Sequence, residues 1–209
     1  TNPLSQKTDY GYKTEADYSG ALPNLNVMSS YKTPLNNSYS FVHQTSGSIK
    51  TITTPVSSTT NFNYGTAGLL SSVSDPNSHS TSFTYDANGN TQTVTDANSK
   101  AATYTYDTLG RVVTATDRRG VTTKYTYDAA GNVLSTTSAY GTARAATVTN
   151  TYDLNGNLVT VRDARGNTRS YTYTKDNRLA TESFTVGGGT YISTNTYDEL
   201  GRLWKVTNE

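Results

Sequence analysis

The sequence predicts an all-β chain of tandem antiparallel β-hairpins, each about 21 residues long, laid side by side in a curved, extended sheet. Three observations carry that class. Tyrosines recur at a fixed interval in Tyr64, Tyr85, Tyr106 and Tyr127, and the series resumes at Tyr152, Tyr173 and Tyr197. Glycines keep the same interval at Gly47, Gly68, Gly89, Gly110 and Gly131, followed by Gly156 and Gly201. No stretch offers helical apolar spacing over a useful length. Self-similarity at such a period means one supersecondary unit copied and stacked, so function belongs to a shared surface more than to one cleft.

Each unit opens on Tyr-Asp-x-x-Gly. Asp86, Asp107, Asp128, Asp153 and Asp198 occupy the first turn position and glycine the fourth, where a type I turn followed by a left-handed residue closes a hairpin. Glycine takes positive φ cheaply and asparagine less so, which accounts for Asn177 as the one replacement in the series. A strand rich in Thr, Val, Leu and Ser follows, ending at Asp75, Asp96, Asp117 or Asp163, where a second turn begins. Asp117-Arg118-Arg119-Gly120 and Asp163-Ala164-Arg165-Gly166 show its signal most openly. The return strand alternates aromatic and threonine, as in Phe83-Thr84-Tyr85 and Tyr171-Thr172-Tyr173. A parallel β-solenoid with one rung per period is the competing architecture. Two reversals per period favour hairpins.

Residues 43–63 form a degenerate copy with His43 in the tyrosine slot, and clear copies run from residue 64 to the end of a repeat region at 41–209. Residues 1–40, with Pro3, Pro23 and Pro34, show no register and read as an irregular segment that folds across one sheet edge as a cap. Two gaps exceed the common interval, at SAYGTARAATVTN and TVGGGTYISTN, and read as lengthened turns.

Composition agrees. Hydrophobic residues make up 33% of the chain and 17 residues are tyrosine, so the apolar surface is mostly aromatic and too thin in aliphatics for a thick core. A net charge of +1 advertises neither nucleic acid nor an anionic membrane as a partner. Arg118, Arg119, Lys124, Arg162, Arg165 and Arg169 hold related places in two repeats and could build a basic stripe, although solvated strand and turn edges are the plainer reading. Absence of cysteine excludes a disulfide scaffold and a thiol nucleophile. No apolar run is long enough to span a membrane as a helix.

The pattern Tyr-Asp-x-x-Gly-Arg/Asn-Leu/Val, then Asp-x-x-Gly, then Tyr-x-Tyr resembles the YD repeat of RHS proteins, most fully at Tyr106 to Arg111 and Tyr197 to Leu203. The likeness covers roughly residues 60 to 209. It implies large proteins whose hairpins coil into a hollow β-shell, of which this chain is an arc cut from a longer array. In toxin complexes and polymorphic toxins the shell encloses a variable toxic domain; in cell-surface relatives the repeats serve adhesion, with glycan binding proposed. A secreted or cell-surface location follows from the same resemblance. Shell-forming relatives end in a core with Asp-Pro-x-Gly and an aspartate self-cleavage site; here Asp75-Pro76 precedes Asn77-Ser78 at an ordinary second-turn slot, so that activity is not assigned. Seven two-strand units at about 4.8 Å per strand give roughly 65 to 70 Å of sheet. That is short of the circumference of a domain-sized cargo, on the order of 100 Å.

No catalytic, cofactor-binding or metal-binding constellation emerges. His43 and His79 are the only histidines and fill structural slots. The repeated aspartates sit at one turn corner, where a carboxylate bonds nearby backbone N–H groups without further function. Gly187-Gly188-Gly189 lacks the context of a phosphate loop and reads as a flexible turn. The expected role is structural, without catalysis: part of a shell that encapsulates or presents an effector. The alternative is a glycan-binding adhesion module in which tyrosines stack on sugars. Expected partners are the rest of the parent chain and further copies meeting at open sheet edges.

Overall fold

The computed structural model describes residues 8–13, 27–33, 35, 37–44, 46–186 and 189–209, and the regular structure there is strand throughout. The chain divides into two units, Thr1–Ala101 and Ala102–Glu209. The first holds β1 (Asp9–Lys13), β2 (Val27–Lys32), β3 (Ser38–His43), β4 (Ile49–Thr53), β5 (Thr59–Tyr64), β6 (Leu70–Ser74), β7 (Ser80–Tyr85) and β8 (Thr91–Thr95). From the division onward run β9 (Ala101–Tyr106), β10 (Val112–Thr116), β11 (Thr122–Tyr127), β12 (Val133–Ser138), β13 (Ala146–Tyr152), β14 (Leu158–Arg162), β15 (Thr168–Tyr173), β16 (Leu179–Val186), β17 (Gly189–Tyr197) and β18 (Leu203–Asn208). Within each unit every strand pairs antiparallel with its neighbours in sequence. The fold is therefore all-β and built of tandem hairpins. The solenoid alternative fails, because its rungs would pair in parallel.

One register repeats in every Tyr-Asp hairpin. Tyr127 opposes Val133 and Thr126 opposes Ser135, so Leu134 is the extra residue of a bulge. The same shift occurs at Tyr64, Tyr85, Tyr106, Tyr152, Tyr173 and Tyr197. It follows from the turn: the type I turn and its left-handed fourth residue leave the post-glycine strand one residue long, and the bulge restores the pleat. Alternation then sorts side chains by face. Phe83 and Tyr85 are half-buried on one face of β7, while Ser82 and Thr84 are exposed on the other.

The repeat begins earlier than its tyrosine spacing indicates. β1 and β2 pair with the same bulge, Tyr12 opposing Met28 and Gly11 opposing Ser30. Met28, Ile49, Leu70, Thr91, Val112 and Val133 then form an unbroken, evenly spaced series with the period of the glycines. The expectation of an irregular segment over 1–40 is thus corrected for its described part, which is an additional copy. Residues between the two strands displaced Tyr12 from the period and hid it. The cap suggested for this segment concerns mainly residues outside the described ones. His43 stands opposite Ile49 across the same bulge, in the tyrosine slot. The first lengthened connection lies between β12 and β13; the second is a longer β16–β17 hairpin, with Val186 opposing Gly189, and its Gly187-Gly188 tip lies outside the described residues.

Among the described residues no side chain, apolar or polar, is buried. Within each unit the aromatic and aliphatic rows reach no more than half-burial. Cohesion must therefore come mostly from the bonds between successive repeats.

Candidate functional site

The repeated turn is the most densely bonded feature of the chain. In Asp86-Ala87-Asn88-Gly89 the Asp86 N–H donates to the Asn90 carbonyl at 2.9 Å and the Gly89 N–H to the Asp86 carbonyl at 3.1 Å. Asp86 Oδ1 accepts the N–H groups of Asn88 and Asn90, both at 2.9 Å, and its Oδ2 accepts Asn90 Nδ2 at 3.0 Å. Asp107 repeats this with the N–H groups of Leu109 and Arg111 at 2.9 Å and with Arg111 Nε at 2.7 Å. Asp128, Asp153 and Asp198 are held likewise by Asn132, Asn157 and Arg202. Gly68, Gly89, Gly110, Gly131, Gly156 and Gly201 have φ between 74° and 95°, and Asn177 in the same slot has φ 58°. At the second turns Gly120 and Gly166 have φ 81° and 89°, whereas Ser57, Ser78 and Ser99 adopt φ 60°, 66° and 60° without glycine.

These bonds set the turn acidities. The Asn90 amide, with backbone donors from the same turn, holds Asp86 below the ordinary carboxylate range. The equivalent asparagine does so for Asp128, Asp153 and Asp163. At Asp107 and Asp198 the lowering comes first from the backbone N–H of Arg111 or Arg202 and then from its guanidinium. At Asp117 it comes first from the Val121 N–H.

The tyrosines do a job that spacing alone did not reveal: six of them reach back one repeat. Tyr85 OH donates to the Leu70 carbonyl at 2.8 Å, Tyr127 OH to Val112 at 2.7 Å and Tyr173 OH to Leu158 at 2.8 Å. Tyr64, Tyr152 and Tyr197 donate to Ile49, Val133 and Leu179 at 3.0, 3.0 and 2.8 Å. The acceptor is always the second residue after the preceding glycine slot, the residue that the bulge leaves facing the next strand. Partial burial raises the Tyr173 pKa. Tyr106 ends β9 opposite Val112.

The side chain after the glycine adds a second tie. Arg111 Nη1 donates to the Asp128 carbonyl at 2.8 Å, and its guanidinium carbon lies 4.7 Å from the Tyr127 ring centroid. Asn155 and Asn157 both donate to Asn177 Oδ1, at 3.0 and 2.9 Å, and Arg178 lies 5.8 Å from the Tyr197 ring centroid. The signal was present in the sequence as Asn or Arg after Gly89, Gly110, Gly131, Gly156 and Gly201, but only the stacked turns show what it meets. On the face opposite the tyrosines, hydroxyls pair across strands: Thr84 with Thr93, Thr105 with Thr114, Thr151 with Thr160 and Thr172 with Thr181, all within 2.6 to 2.7 Å.

Among the described residues the basic side chains do not share one face. Arg162 opposes Thr149 and Thr168 on the hydroxyl-bearing face, while Arg169 opposes Phe184 on the aromatic one. Arg119 pairs with Asp117 on its own turn, and Lys124 lies over the Tyr140 ring. His79 Nδ1 sits 3.0 Å from Asp75 Oδ2 at an exposed turn. Among the described residues no three His, Cys, Asp or Glu converge as metal ligands. Hollows of about 380 and 510 Å³ lie over neighbouring turns, one beside Arg162 and Asp163 and one between Asp128 and Asp153, and their carboxylates are already engaged by the turn.

The family model described as RHS Repeat matches residues 64–101, 85–122, 106–143 and 152–191. The chain belongs to the RHS repeat family. No curated protein matches it. Solved structures similar to this RHS repeat chain include the Photorhabdus luminescens Tc holotoxin pore, at 13% identity and TM-score 0.65 over 96% of the chain. TcdB2-TccC3 without its hypervariable C-terminal region aligns at 14% identity and TM-score 0.63 over 97%. TcdB2-TccC3-Cdc42 aligns at 14% and 0.55 over 87%. At these identities the likeness is one of fold. The RHS repeats here span only 12 to 14% of those chains.

Proposed function

We propose that this RHS repeat chain is a structural segment of a larger secreted or cell-surface protein, where it contributes wall to a β-shell that encapsulates or presents a toxin or effector domain. The observation that carries this is the use of the repeated residues. Tyrosine hydroxyls, turn carboxylates and post-glycine side chains bond to their own or the adjacent repeat, so the groups that every copy shares serve assembly and converge on no ligand pocket. The toxin-complex structures that share the fold support a wall role. The test is protease protection of the parent protein. A domain following the repeats should resist digestion while joined to them and be cut rapidly when expressed alone; equal rates would overturn the reading. The same repeats, assayed alone, should show no hydrolase activity.

One feature favours adhesion as a second reading. Phe184 and Tyr191 stack with centroids 5.3 Å apart on the long β16–β17 hairpin and are 36% and 53% exposed. Arg169 and Glu182 pair beside them at 2.5 Å. A flat aromatic pair bordered by polar groups suits a sugar ring. A glycan array with Tyr191→Ala as control decides it: saturable binding to one sugar class, lost in the variant, would establish this reading over passive wall.

A further inference from the structure

Two copies of the repeat depart from the others in the same two ways. Tyr152 follows Tyr127 by 25 residues and Tyr197 follows Tyr173 by 24, against 21 for the other intervals of the series, with the extra residues in the β12–β13 and β16–β17 hairpins. In both, the residue two before the tyrosine is asparagine, Asn150 or Asn195, within an identical Thr-Asn-Thr-Tyr-Asp. In the other copies that place is aromatic, as at Phe41, Phe62, Phe83, Tyr104, Tyr125 and Tyr171. Each of these six follows a short turn closed by a backbone bond between residues four apart, such as the Asp117 N–H to the Val121 carbonyl.

The two asparagines use their amides alike. Asn150 Nδ2 donates to the Val133 carbonyl at 2.9 Å, beside the Tyr152 hydroxyl at 3.0 Å. Asn195 Nδ2 donates to the Leu179 carbonyl at 3.1 Å, beside the Tyr197 hydroxyl at 2.8 Å. A carbonyl oxygen has two lone pairs and accepts both donors. These carbonyls lie just outside the ladders, since β12 pairs with β13 from Ser135 onward and β16 with β17 from Thr181 onward. Both asparagines are half-buried in the row that is aromatic elsewhere.

We infer that Asn150 and Asn195 are positioning residues that fix strand register where the connection is too long to fix it. A short turn with an Asp corner and a left-handed corner allows one pairing. A longer one also lets β13 slide two residues along β12, which keeps every side chain on its own face and so escapes the penalty of a one-residue slip. That slide carries Asn150 away from the open carbonyl to a stretch where the ladder occupies the carbonyls, and it leaves a half-buried amide unpaired. An aromatic ring in the same place asks only for apolar contact and accepts either register. Asparagine therefore exchanges cross-strand packing for specificity, as a single polar residue does in a coiled-coil seam. The second-turn end of the sheet is thereby free to carry connections that depart from the repeat. The inference rests on register alone and is independent of the wall role.

The chain has no cysteine, so an introduced pair reports register by disulfide formation. Thr137 and Thr147 oppose each other with hydroxyls 2.9 Å apart, and Thr137→Cys with Thr147→Cys should cross-link readily. The two-residue slide brings Thr149 opposite Thr137 instead. Thr137→Cys with Thr149→Cys should cross-link slowly, and adding Asn150→Leu should raise its rate by about tenfold. Replacing residues 138–146 with the Asp-Ala-Arg-Gly-Asn of residues 163–167 restores the common interval and should abolish that rise. A rate that Asn150→Leu leaves unchanged overturns the inference. So does an equal rise with the short turn, which would make the asparagine a general stabiliser. Should Asn150→Leu not fold, Thr181→Cys with Thr196→Cys and Asn195→Leu puts the same question to β16 and β17, with the same two outcomes deciding it.

Discussion

At the scale of single residues, the repeated tyrosine is valuable for its oxygen as much as for its ring. Tyr127→Phe keeps the ring and removes the 2.7 Å bond to Val112. Loss of about 1 kcal/mol is expected, visible as a lower urea midpoint and as faster amide exchange in the two adjoining repeats. Unchanged exchange there would show that the hydroxyl contributes nothing to cohesion. Backbone conformation gives a paired expectation. Gly110 at φ 77° should tolerate valine poorly, at a cost of about 2 kcal/mol, because a β-branched side chain is strained in the left-handed region. Ser99 at φ 60° carries a smaller version of the same strain, and Ser99→Gly should stabilise by about 0.5 kcal/mol. Thermal melts of the two variants should move in opposite directions.

At the scale of the hairpin, the turn is an acid-sensitive lock. The carboxylates of Asp86, Asp107, Asp117, Asp128, Asp153, Asp163 and Asp198 are all held below their ordinary acidity range by the turns they close. A depressed folded-state pKa contributes stability that is complete above the unfolded value, about 3.9, and is lost as pH falls through the lower folded one. The melting temperature should stay level from neutrality to about pH 5 and drop steeply below about pH 4. A level profile through that range would mean that the turn bonds are not formed in solution. Hairpins and turns were legible in the sequence because they rest on local chemistry: Asp at one corner, glycine at the other, aromatic alternation between. The ties between repeats were less so, since Tyr127 and Val112 are 15 residues apart and meet only once a bulge sets the register. Serine at the second turns was hidden for another reason. In Asp75-Pro76-Asn77-Ser78, proline fixes the second corner and the Asp75 carboxylate holds the N–H groups of Asn77 and His79, so the turn survives a residue that disfavours positive φ. The copy at β1 and β2 escaped notice because the residues between its strands moved Tyr12 out of phase, although Met28 kept the period.

At the scale of the whole chain, register is held by whole repeats. Deleting Asp107 to Tyr127, one full period, places Tyr106 directly before Asp128 and leaves every remaining tyrosine with a carbonyl one repeat back. That variant should fold with unchanged circular dichroism per residue and a modest fall in melting temperature. Deleting one residue fewer leaves an odd residue between the strands and turns the following face over, exposing the aromatic row. It should aggregate or melt without a cooperative transition. Equal behaviour of the two deletions would show that the register is not enforced. The half-open bonding of each copy also bears on inheritance. Since a copy asks of its neighbour only a carbonyl, a hydroxyl and a pleat in phase, unequal recombination between similar stretches of the gene can add or remove repeats without rewriting any other part. Length becomes a quantity that selection can adjust in steps.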